Sequence, residues 1–177
     1  LFSFTHWAKL NNLKQSAKTM NFLTEHGISS YGELESKLTV VSARRDTAHA
    51  EIKRIESRSA ELTLVMKHAG TYRQLKPLYD RYRKSNDKEK FLRGHESEII
   101  LFEAAARELK RLGAVPLPTT ESMKTELTNL AAEKERLLAE YKAARTEAQE
   151  YDTVKQNVDA LLAVPKEQEQ QRRHELE

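Results

Sequence analysis

The chain has no cysteine among its 177 residues, so no disulfide framework supports it, and the composition fits a reducing compartment. Five glycines and four prolines leave few turns, which argues against a fold of many short elements. No apolar run approaches the roughly 20 residues that a membrane span needs, and the longest, Ile99-Ile100-Leu101-Phe102, reads as a core turn. Apolar residues make up only 38% of the chain and charged residues 32%, below the usual ~45–50% and above the usual quarter, so the core is thin. Glycine-rich phosphate loops are missing, and no serine, histidine and aspartate cluster stands out. The six histidines (His6, His26, His49, His68, His95 and His174) never form the close pairs that bring two imidazoles to one metal. His95 and Glu98 lie one helical turn apart, without a second such pair. The expectation is a chain with no catalytic residues, no metal site and no cofactor. It starts at Leu1 with no signal-peptide pattern, which points to a cytoplasmic module of a longer protein.

What the sequence does hold is heptad pattern. One column runs Leu34, Val41, Ala48, Ile55, Leu62, Ala69, small or apolar at every seventh residue. Its companion, Leu38, Arg45, Ile52, Ser59, Met66, Arg73, is half apolar. A later stretch gives Leu130, Leu137, Ala144, Tyr151, Val158, beside Leu127, Lys134, Tyr141, Ala148, Lys155, Leu162. One strong and one diluted column suit a two-helix seam. The expected fold is therefore all-α: an elongated antiparallel helical hairpin, a coiled-coil stalk, with a small helical tip and a packing N-terminal helix.

Helix punctuation divides the chain. Residues 1–29 form an N-terminal helix that stops at Gly27, a residue free to take the left-handed conformation that closes a last turn. It is expected to pack at the stalk base, with Trp7, Leu10, Leu13, Met20 and Leu23 covering Leu34, Val158 and Leu161. Ser30 and Glu33 make a capping box for the first stalk helix, 30–70. Pro77 is expected to break or redirect the chain inside a helical basic tip and Pro-containing linker, 71–119, where a helix ends at Gly113. The second stalk helix covers 120–164, and 165–177 is a polar tail expected to be disordered. Antiparallel pairing would set Leu34 near Leu162 and Leu62 or Met66 near Leu130.

Charge is placed unevenly. Between Tyr72 and Arg93 lie eight basic residues and three acids, a net +5 in a chain that is +3 overall, so the rest sums to −2. Tyr72, Tyr79, Tyr82 and Phe91 are interleaved with the cations. Lysine and arginine neutralise phosphates, and aromatic faces stack on exposed bases. The candidate nucleic-acid-binding residues are Arg73, Lys76, Tyr79, Arg81, Tyr82, Arg83, Lys84, Lys88 and Arg93, with Tyr79 and Tyr82 set to stack on unpaired bases. Asp80 beside Arg81 is expected to take up part of the charge by local pairing. The bland alternative is that the tyrosines pack a tip core and the cations form a solvated face.

The segments WAKLNNLKQSAKTMNFLTEHG (7–27), GTYRQLKPLYDRYRK (70–84), KEKFLRGHESEIILFEAAARELKRLG (88–113) and AEKERLLAEYKAARTEAQEYDTVKQNVDALL (132–162) carry a resemblance. They are similar to the stretch beyond the nuclease domain of relaxases, the mobilization nucleases of bacterial conjugative elements. Members of that family nick one DNA strand through a tyrosine with histidine-bound metal assisting. Neither the histidine triad nor an assignable nicking tyrosine is found here. The resemblance therefore implies a noncatalytic C-terminal helical region that contacts DNA, or relaxosome or transfer-apparatus proteins. The alternative expectation is a purely structural coiled-coil module that forms a homodimer or spaces domains, with no nucleic-acid binding. Neither reading places the chain in a membrane.

Overall fold

The computed structural model describes the backbone of residues 4–174 and the side chains of residues 12–163. The chain is all-α. Its helices are α1 (Phe4–Glu25), α2 (Tyr31–Lys84), α3 (Lys88–Arg111) and α4 (Thr120–His174), with no strand among the described residues. Two compact units divide it: Leu1–His49 with Leu138–Glu177, and Ala50–Leu137. Among the described residues no helix is long and apolar enough to cross a membrane.

Local chemistry sets the helix ends. Gly27 takes φ +59°, and its amide bonds the Thr24 carbonyl at 3.1 Å while the Ile28 amide bonds the Leu23 carbonyl at 2.8 Å. This pair of bonds is the Schellman closure, and its usual apolar contact is present because Ile28 and Leu23 share one cluster. Gly113 repeats it at φ +67°, with Gly113 bonded to Lys110 and Ala114 to Leu109. At the start of α2 the expected reciprocal cap is shifted by one residue. Ser30 Oγ accepts from the Glu33 amide at 3.2 Å, but Glu33 reaches back to the amide and hydroxyl of Ser29, at 2.7 and 3.0 Å. These bonds from Ser29, the backbone one foremost, hold the Glu33 carboxyl below its ordinary value. A depressed carboxylate stabilises the fold above the usual carboxylate range, and that contribution is lost as pH falls through the lowered value. Asp87 caps α3 by accepting from the Lys90 amide, and Thr119 caps α4 by accepting from the Ser122 amide.

In the first unit α2 and α4 run antiparallel. The Tyr31 hydroxyl donates to Asp159 at 2.6 Å, Arg44 pairs with Glu147, and His49 stacks on Tyr141 at 5.4 Å. Leu34 and Val41 are buried with Ala148, Tyr151 and Val154, joined by Ile28 from the turn and flanked by Phe22, Leu23, Leu38 and Val158. In this register Leu34 falls between Val154 and Val158. Leu162, expected opposite Leu34, is 56% exposed, because that register sets it level with the turn before Tyr31, where α2 has not begun.

The first helix packs on this unit with a different face from the expected one. Phe22 and Leu23 cover the cluster containing Leu34, but Leu13 and Met20 are 68% and 59% exposed, and Leu161 is exposed as well. Trp7 and Leu10 lie outside the residues whose side chains are described. The inward face centres on Thr19, which is buried, and Phe22, which is half-buried, with exposed Gln15 and His26 one turn beyond them at its edges. Thr19 is buried, accepts from Asn157 Nδ2 at 3.1 Å and donates to the Gln15 carbonyl, while Gln15 Nε2 donates to Asn157. Phe22 and His26 both meet the Tyr151 ring edge-on. These bonds satisfy the Thr19 hydroxyl, which is what allows it to be buried.

In the second unit the antiparallel pairing of α2 and α4 is marked by Glu56–Lys134 at 2.8 Å and Arg58–Glu126 at 2.8 Å. Leu62, Val65 and Ala69 of α2, Leu109 of α3, Ala114 and Met123 form its core, with Met66, Leu127 and Leu130 packed against it. Leu62 and Leu130 thus meet in one cluster, as the heptads imply. The first stalk helix does not stop near Gly70: α2 continues to Lys84 with Pro77 inside it. An interior proline costs about 3 kcal/mol, through a lost amide donor and a ring clash. The offset here is tertiary, because Tyr72 before the proline and Tyr79 after it both stack on Phe102 of α3, which requires the two to keep helical spacing. Similarly, α4 runs past Pro165 to His174 where a disordered tail is expected, through glutamate, glutamine and arginine, all good helix formers. Residues 175–177 lie outside the described residues.

Candidate nucleic-acid interface

The basic segment spans the last turns of α2, the Ser85–Asp87 connection and the first turns of α3, all in the second unit. α3 lies against α2 because Ile99, Phe102, Ala105 and Leu109 recur on one buried face. Phe102 is the pivot. Its ring is near-parallel to Tyr72 at 4.8 Å and to Tyr79 at 4.2 Å. From Tyr79 the contacts continue to Tyr82 at 5.9 Å, from Tyr82 to Phe91 at 6.1 Å, and from Phe91 to His95 at 4.8 Å. The interleaved aromatics therefore form a connected ladder between the two helices. Burial, helped by Glu103, raises the Tyr79 phenol above its ordinary value, and its hydroxyl points to Glu103 Oε1 at 3.4 Å.

Around the ladder the cations divide. Lys76, Tyr79, Arg83 and Lys84 of α2 line an open groove of about 630 Å³ whose far wall includes Phe102 and Ala106 of α3. Asp80 also lines this groove and holds Lys76 at 3.0 Å, and that hydrogen bond raises the lysine's pKa. The expected partner of Asp80 was Arg81, but a helix sets neighbours in sequence on different faces, and the residue four positions back is the one in reach. Arg81 instead lies over the Phe91 ring, 5.7 Å from its centroid. Arg73 is turned elsewhere: its guanidinium donates to Thr120 Oγ1 and the Pro118 carbonyl, both at 2.6 Å, tying α2 to the start of α4. Arg93 pairs with Glu89 at 3.7 Å on α3, where Lys88 is exposed. Arg83, Lys84 and Lys88 have no ion-pair partner among the described residues.

Four of the nine sequence candidates are thus brought into one groove (Lys76, Tyr79, Arg83, Lys84). Arg81, Tyr82, Lys88 and Arg93 lie outside its lining, and Arg73 holds the fold. Sequence reasoning left Phe102 and Ala106 out of the site; Asp80 it named, but with Arg81 rather than Lys76 as its partner. The signal for Phe102 was the Ile99, Phe102, Ala105, Leu109 period, which predicts a buried face without saying which rings it meets; Ala106 borders that face. The α3 helix is interrupted at His95, whose φ of −143° and ψ of 27° are not helical. His95 Nδ1 stands 3.8 Å from Glu98, and among the described residues no group of three or more His, Asp or Glu side chains is set to hold a metal.

Comparison of the chain with protein-family models, with curated proteins and with solved structures yields no match.

Proposed function

We propose that this chain is a noncatalytic all-α module that holds DNA through the basic surface of its second unit, working without a cofactor. The observation that carries the reading is charge left uncompensated. A segment of net +5 presents Arg83, Lys84 and Lys88 exposed and without ion pairs among the described residues, while much of the remaining charge is matched, as in Arg44–Glu147 and Glu56–Lys134. The resemblance of residues 7–27, 70–84, 88–113 and 132–162 to the region beyond the relaxase nuclease domain supplies the setting. In that setting the module belongs to a relaxase-like protein of conjugation or mobilization, acts in the cytoplasm, and has relaxosome or transfer-apparatus proteins as neighbours. If Arg81, Arg83, Lys84 and Lys88 each meet a phosphate, the log–log salt slope on duplex DNA is about −3.6. Replacing Arg81, Arg83 and Lys84 with glutamine should weaken binding of labelled DNA at low salt and make the slope shallower by about one per lost contact. Equal, weak binding by wild type and triple variant at two salt concentrations overturns the proposal.

A second reading, a structural module that dimerises, is favoured by one observation. Leu13 and Met20 are exposed two turns apart on α1 with Ala17 between them. It requires a mass that rises with concentration and does not respond to DNA.

A further inference from the structure

We infer that this surface reads the phosphodiester backbone and not the bases, and so takes duplex DNA in preference to single strands; the inference rests on the DNA-binding reading above. Tyrosines among cations suggest base stacking, but stacking needs an open ring face, and the rings here are engaged with one another. Phe102 is stacked against both Tyr72 and Tyr79. Tyr82 sits between Tyr79 and Phe91, and Phe91 is contacted by His95 and covered by Arg81. Freeing Tyr79 for a base would expose Phe102, which is 5% accessible. The ladder therefore fixes α3 on α2: Tyr79 lines the groove with its ring committed to Phe102, and the cations beside it are the groups that meet a ligand's charge.

Their spacing suits a dense line of charge. Lys76, Arg83 and Lys84 span nine residues of helix, eight steps or about 12 Å of rise. Duplex DNA offers one phosphate per roughly 1.7 Å of its axis, about seven over that span, and one strand alone offers about half as many. Asp80 is the opposing element. It lines the same groove and occupies Lys76, so it both repels a phosphate and withholds a cation. Removing its charge should strengthen binding, an outcome that a groove with a purely structural role would not give.

The test uses the full chain with a labelled duplex and a labelled single strand of equal length, at two salt concentrations. Wild type is expected to bind the duplex about threefold or more tighter at the lower salt, as the charge densities imply. Asp80→Asn should tighten duplex binding severalfold and steepen its salt slope by about one. Tyr82→Leu, with its helix content checked by circular dichroism, should leave the ratio of duplex to single-strand affinity unchanged. If that variant fails to fold, Asp80→Asn, an exposed substitution, still decides. Single strands bound as tightly as duplex, or no gain from Asp80→Asn, would overturn the inference and leave DNA binding standing. No binding of either DNA by wild type would remove the parent reading as well.

Discussion

A single side chain's worth in this chain depends on register more than on residue type. Ile55, in the strong column of the first stretch, and Leu162, in the companion column of the second, are both expected in the seam, yet Ile55 is 1% exposed and Leu162 is 56% exposed. Truncating Ile55 to alanine is expected to lower the free energy of unfolding by about 2–5 kcal/mol, through lost transfer energy and the cavity left behind. Leu162→Ala should stay within about 0.5 kcal/mol. Urea denaturation of the two variants checks this, and similar losses for both would mean that α4 sits in a different register. Arg73 makes the same point for charge. Counted with the phosphate ligands, it is instead committed to Thr120 and Pro118, because the linker returns beside α2, and the sequence does not announce that return.

Among the elements, what could be read from sequence was what short-range chemistry decides. The left-handed glycines at 27 and 113 end their helices where a residue without Cβ makes that conformation cheap. The heptad column from Leu34 to Ala69 is buried at every position. What could not be read was decided by partners distant in sequence. Pro77 breaks a helix on local grounds, but α2 passes through it because Phe102 stacks on both sides of it. The apolar stripe of α1 points to the core in sequence, but Leu13 and Met20 are exposed, and Thr19 is buried in their place because Asn157 satisfies its hydroxyl. The cations of the site were legible from where charge is placed along the sequence, whereas the groove that Lys76, Arg83 and Lys84 line depends on how α3 folds back. Because Pro77 is exposed and maintained by its surroundings, Pro77→Ala is expected to raise stability by about 1–3 kcal/mol, seen as a higher urea midpoint at unchanged slope. A lower midpoint would show that the proline's fixed φ is itself what shapes the end of α2.

For the whole molecule the governing fact is that net charge and local charge disagree. The isoelectric point calculated from sequence is about 9.0, but lysine and arginine side chains remain largely protonated at that pH. A protein held at its own isoelectric point would ordinarily pass through a cation-exchange resin. This one should be retained and need salt to elute, because the resin meets the Tyr72–Arg93 face and not the average. Two variants of equal net charge separate the effects. Replacing Arg81, Arg83 and Lys84 with glutamine should abolish retention. Replacing Lys124, Lys142 and Arg145, exposed cations of α4, should leave most of it. Co-elution of the two variants would mean that the resin sees only the total. Retention of the second alone means that the chain has a preferred face toward any anionic surface, and that its adsorption and its orientation there are governed by one stretch of 22 residues.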